Sequence, residues 1–128
     1  MTATRPDRPA RAERWRIDAG AAEIALLHVP PVLRRDRIVE IDVRFVVRAA
    51  ADAQAPWLSI EVEVDGQRQW SRRIEAHRPG EVDSLDWHGR RELPAGQALR
   101  VRAVTRVGGG ARRERLVIEA EVDQPADG

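Results

Sequence analysis

The stretch that most constrains this chain runs from Trp57 to Ile74. Leu58, Ile60, Val62 and Val64 alternate there with Trp57, Ser59, Glu61 and Glu63. Successive side chains of a strand point to opposite faces, so a period of two marks a half-buried strand. Asp65-Gly66 follows, a dipeptide suited to a tight hairpin, and the chain then returns through Gln67 to Ile74.

The register of this hairpin has two solutions. A strict two-residue loop sets Val64 opposite Gln67 and lines the aliphatic row up with Gln67, Gln69, Ser71 and Arg73. Trp57 and Trp70 would then share the outer face with Glu61 and Arg72. One extra residue, as in a type I turn with a glycine bulge, turns Trp70 and Ile74 onto the face of Leu58, Ile60 and Val62. Burying two such side chains is worth roughly 3–6 kcal/mol, which favours the bulged register.

Alternation recurs along the chain. Trp15-Arg16-Ile17 reads as a short edge strand, and 21–29 as a strand that ends at Pro30-Pro31. From Arg37 to Ala49, residues Val39, Ile41, Val43, Phe45, Val47 and Ala49 form a core face. Thirteen residues is long for a strand, so a bulge or bend is expected within it. Residues 81–87 read as a weaker strand, with His88-Gly89-Arg90-Arg91 as a loop. The runs 99–107 and 116–122 alternate on either side of Gly108-Gly109-Gly110 and read as a second hairpin with a flexible tip.

That makes about eight strands and no segment with a 3.6-residue period. The expected fold is all-β: an antiparallel β-sandwich, in one version a jelly roll, with a closed barrel as the alternative. The expected organisation is a flexible basic arm over 1–13, one sandwich domain over 14–123 and a polar tail over 124–128.

Composition narrows the functions. Twenty-two basic and 21 acidic residues leave a net charge of +1, too little to draw nucleic acid or an anionic membrane. All the basic residues are arginine, with no lysine or asparagine. That pattern fits a GC-rich coding sequence and takes functional weight off the arginine count. The absence of cysteine excludes disulfides, thiolate metal sites and a cysteine nucleophile. No apolar run approaches the ~20 residues of a membrane helix, and the amino-terminal stretch shows no signal-peptide core. A cytoplasmic location without membrane or nucleic-acid contact is the expectation.

The segment Glu92-Leu93-Pro94-Ala95-Gly96-Gln97-Ala98-Leu99-Arg100-Val101, with the glycine loop and last strand after it, resembles the closing part of carbohydrate-binding and galactose-binding-like β-sandwich domains over 92–122. The resemblance implies a sandwich with a glycan as ligand. Those families often carry Asn or Asp in the loop before the last strand; here the loop is Gly108-Gly109-Gly110-Ala111-Arg112-Arg113, with neither.

Candidate site residues follow from side-chain chemistry. An exposed indole stacks on a pyranose ring, so Trp57 and Trp70 with Glu61 and Arg72, or Trp87, are the candidates for a glycan platform; the plainer reading is tryptophan as core filler. Asp83, Asp86 and His88, with His77 nearby, have donor types for a metal, at a spacing that matches no familiar site. His28, in an apolar run, reads as a partly buried, hydrogen-bonded side chain. The arginine pairs at 34–35, 72–73, 90–91 and 112–113 would make an anion-binding rim if their loops met at one end. No serine lies in a nucleophile elbow and no glycine loop has the pattern of a phosphate cradle. No catalytic residue and no cofactor is therefore assigned.

The leading expectation is a non-catalytic interaction or assembly module. It would contact a protein partner or its own copies through an edge strand or a sheet face, where Ile38, Val46, Val104 and Val117 interrupt the polar pattern. A glycan-binding module is second, and a small metal-dependent jelly-roll enzyme third.

Overall fold

The computed structural model describes residues 13–76 and 79–123. Its eight strands are β1 (Arg14–Asp18), β2 (Ile24–Val29), β3 (Arg37–Ala49), β4 (Trp57–Val64), β5 (Gln67–Glu75), β6 (Val82–Leu93), β7 (Leu99–Gly108) and β8 (Ala111–Asp123). They form two four-stranded sheets, β1-β8-β3-β6 and β2-β7-β4-β5, antiparallel throughout.

This order has a simple origin. β4 pairs with β5, β3 with β6, β2 with β7 and β1 with β8. The chain is one long hairpin, bent at Asp65-Gly66. Rolling it up sets β3 beside β8 and β4 beside β7, and the result is a jelly roll. The amino-terminal arm and the tail lie outside the described residues, apart from Glu13.

Alternation decides which residues enter the core. All six inward residues of β3, Val39 through Ala49, are buried, as are Leu58, Ile60, Val62 and Val64 of β4. They meet Leu99, Val101 and Ala103 of β7 and Leu116, Ile118, Ala120 and Val122 of β8.

The central hairpin combines features of both registers. Asp65 (φ 51°) and Gly66 (φ 84°) both sit in the left-handed region, as a tight two-residue hairpin turn requires. Val64 faces Gln67 across it. The extra residue enters past the turn, where Gln69 bulges out and Val62 pairs with Trp70. From there Leu58 faces Ile74, and Trp70 and Ile74 pack against the core. The register favoured by apolar burial holds, but the bulge sits in β5 rather than at the turn.

Three other expectations need correction. Residues 99–107 and 116–122 are not a hairpin: β7 and β8 lie in different sheets, and the triple glycine carries the chain between them. His88-Gly89-Arg90-Arg91 is not a loop but the middle of β6, paired with β3 from Arg48↔Val82 to Arg37↔Leu93. The irregularity expected in β3 falls on its neighbour, where β8 carries one extra residue between the pairs Val46↔Arg115 and Val47↔Arg113.

Polar side chains tie the sandwich ends. Arg37, 4% exposed, donates from Nη2 to the carbonyls of Pro30 (2.8 Å) and Gln97 (3.4 Å) and stands 3.7 Å from Glu13. At the opposite end Arg113 reaches from β8 to buried Thr105 of β7, with Nε 3.0 Å from Oγ1 and Nη2 3.0 Å from the carbonyl.

Candidate functional site

The outer face of β1-β8-β3-β6 is a lattice of charges. Cross-strand pairing sets Arg14, Glu121, Glu40 and Arg90 in one row, and Arg16, Glu119, Asp42 and His88 in the next. In both rows two carboxylates stand directly opposite each other, an unfavourable placement taken alone. A cation at each flank answers them. Arg14 meets Glu121 at 3.1 Å, Arg16 meets Glu119 at 3.4 Å and Arg90 meets Glu40 at 2.8 Å.

His88 closes the second row. Its Nδ1 lies 2.9 Å from Asp42 Oδ1 and its Nε2 2.8 Å from Glu40 Oε1. The hydrogen bond to Asp42 is the largest influence and raises the imidazole pKa above its ordinary value. Slight desolvation works against it, while the Asp42 charge and the bond and charge of Glu40 act with it. A raised pKa means the folded state holds this proton more tightly than the unfolded chain does. The stabilisation is therefore full below the unfolded value of about 6.5 and is lost as pH rises through the folded value. Thermal melts from about pH 6 to about pH 8 are expected to show the parent losing stability relative to His88→Gln; parallel curves would contradict it.

The residues considered for a metal do not converge. Asp83 pairs with Val47 and shares its inward-facing side, whereas Asp86 and His88 pair with Arg44 and Asp42 on the outer face. Asp86 is held by Ser84 Oγ (3.1 Å) and Arg44 Nε (3.7 Å). No cluster of described residues has the makings of a metal site, and His77 lies outside them.

The tryptophan platform does not form either. Trp57 and Glu61 are on the outer face of β4, while Trp70 and Arg72 pair with Val62 and Ile60, whose side chains point inward. Trp57 lies over Gly108, its partner on β7. The guanidinium of Arg73 sits 3.9 Å from its ring centroid, a cation–π contact over its face. Trp87 belongs to the other sheet, packs against the core and lies over Gly89. Three of the four arginine pairs fall inside strands, where alternation sends the two members to opposite faces, so they form no rim.

Sequence reasoning overlooked a different feature. The four edge strands are β1, β6, β2 and β5. β1 carries Arg14, Arg16 and Asp18, β6 carries two arginines and three acids among its twelve residues, and β5 has three arginines and the Gln69 bulge. Charges and bulges of this kind keep an edge from pairing. β2, Ile-Ala-Leu-Leu-His-Val, has no acid and no arginine. Ala25, Leu27 and Val29 point into the core, while Ile24 and Leu26 are 43% and 49% exposed. His28 is exposed beside them rather than partly buried. Next to this row runs an open groove of about 630 Å³, bordered by Leu26, His28, Glu63, Asp65, Arg100 and Arg102. Of the outer-face aliphatics expected to offer contact, Val117 is buried (6% exposed), and Ile38, Val46 and Val104 are half-buried.

No protein-family model matches the chain, and no curated protein does. Among solved structures it is similar to part of dimeric latent PorU from Porphyromonas gingivalis, at 11% identity and a TM-score of 0.52, over 87% of this chain. Lower-scoring likenesses are the C-terminal domain of EclA, a sugar-binding protein (15% identity, TM-score 0.40, 89% of this chain and 79% of that one), and the T13 IBDV viral particle (13%, 0.45, 95% and 35%). The chain spans only 12% of the PorU chain's length. At such identity the PorU likeness concerns the fold alone, and the chain's own architecture is an antiparallel β-sandwich of jelly-roll order.

Proposed function

We propose that this chain is a non-catalytic interaction module that engages protein by strand addition at β2. The observation that carries the reading is the β2 edge: six residues without an acid or arginine, an exposed Ile24–Leu26 row, and a backbone side that pairs with nothing among the described residues. An added strand would take its affinity from main-chain hydrogen bonds and its selectivity from alternate side chains, which would rest along the Leu26 groove. Glycan binding has no comparable support, because the indole of Trp57 is engaged by Gly108 and Arg73.

Amide shifts recorded against short, extended, uncharged peptides, and against rising concentration of the chain itself, test this reading. Changes are expected on β2 and the groove beside it, and are expected to vanish in Leu26→Lys. Absence of any change on β2 in both titrations would defeat it.

A further inference from the structure

We infer that the strand added at β2 is β2 of a second copy, running antiparallel with Leu26 on the two-fold axis. This rests on the reading of β2 as the docking edge and specifies its occupant.

The first argument is the phase of the backbone. The Thr105 amide donates to the Glu23 carbonyl at 2.9 Å, and Ile24 to Val29 continue the same register against Val104 to Leu99. In an antiparallel ladder, residues that exchange hydrogen bonds with the neighbour alternate with residues that do not. Ala25, Leu27 and Val29 therefore turn their amide and carbonyl groups toward β7. Ile24, Leu26 and His28 turn theirs off the edge. An odd number of such positions has a central one. With Leu26 on the axis, Leu26 exchanges bonds with its own copy and Ile24 exchanges them with His28 of the copy, for about six new bonds.

The second argument is side-chain matching. Directly paired residues share a face, so this register keeps Ile24, Leu26 and His28 on the outer face of both copies and Ala25 and Leu27 on the inner one. Two exposed leucines meet at the axis, with an isoleucine above and below. A shift by one residue would bring buried Leu27 out to the surface.

The third argument is charge. A two-fold interface sets each surface against itself, which penalises any patch of one sign. β2 brings no acid or arginine to its own copy. Two cations flank it on β7, Arg100 opposite His28 and Arg102 opposite Leu26; Arg102, level with the axis, is answered by Glu63 at 3.4 Å. Arg102 of each copy would stand about three strand spacings from the other, roughly 14 Å, beyond the screening length of roughly 8–10 Å near physiological salt.

The absence of cysteine makes engineered thiols unique. Across a hydrogen-bonded antiparallel pair the Cα atoms lie about 5.5 Å apart, within disulfide reach. Leu26→Cys is therefore expected to oxidise to a covalent dimer. Ile24→Cys is not, since its two thiols would be four residues apart along the strand, about 14 Å. Sedimentation equilibrium is expected to show a dimer for the parent and a monomer for Leu26→Lys, with unchanged circular dichroism.

A parent dimer that survives Leu26→Lys, or cross-links equally well at both thiol positions, would overturn the register. A monomeric parent would overturn self-pairing. If that monomer still binds an uncharged hexapeptide at β2, strand addition stands with another occupant; if it binds none, both readings fail.

Discussion

Phe45→Ala is expected to cost about 3–5 kcal/mol of folding stability. Phe45 is fully buried in β3. Its cross-strand partners are Leu85 of β6 on one side and Leu116 of β8 on the other. Removing the ring leaves a cavity at the middle of the sheet, flanked by two paired strands that cannot close over it independently. Domains of this kind have about 5–15 kcal/mol in total, so the variant should be marginal. Urea denaturation followed by tryptophan fluorescence measures the change as a midpoint lowered by roughly 1–3 M. Val46→Ala, on the opposite face of the same strand, is the control and should cost far less. Equal losses at the two positions would mean that the face assignment of β3 is wrong.

The second large effect is expected at the crossing between sheets. Gly109 has φ +66°, and the space its Cβ would take is occupied by the carbonyl oxygen of Ala55, with Pro56 Cα 3.0 Å away. Backbone atoms cannot swing aside as a flexible side chain does. Gly109→Ala is therefore expected to cost about 3 kcal/mol: roughly 1–2 for the left-handed conformation and the rest for displacing the segment before β4. Gly66 separates the two contributions. Its φ is +84° with nothing within 4 Å, so Gly66→Ala should cost only about 1 kcal/mol. Equal effects in chemical denaturation would show that the crossing yields without resistance.

These two sites mark how far the sequence could be read. The inward face of β3 follows residue by residue from a period of two, because burial of alternate side chains is a local consequence of strand geometry. The triple glycine is ambiguous by the same standard. A run of glycine permits a hairpin tip or a crossing, and only the placement of Ala55 and Pro56, over fifty residues earlier, decides which. β6 was cut short because Gly89 and its charged neighbours have the composition of a loop. Within the sheet Gly89 leaves room for the Trp87 indole, and Arg90 pairs with Glu40.

The candidate site was less legible than the fold. Composition shows that Ile24 to Val29 is uncharged, but whether a strand is an edge depends on sheet order, which strands far apart in sequence determine. His88 illustrates the same limit, since its partners Asp42 and Glu40 come from β3. The tryptophans failed as a guide for a physical reason. A bulge of one residue past the turn reversed the facing of Trp70 relative to Trp57.

The rolled-hairpin topology also bears on how the chain reaches this state. The β4–β5 pair needs only a two-residue closure, whereas β1 and β8 are separated by nearly the whole described chain. Closure entropy rises with the length of chain to be closed, and high contact order slows folding. The roll would therefore zip outward from Asp65-Gly66, with β1 and β8 docking late. During synthesis β1 and β2 emerge well before β8 and β7, their partners, exist. The uncharged β2 strand would wait without a neighbour on either side, the interval in which a nascent chain is most exposed to mispairing with its own kind.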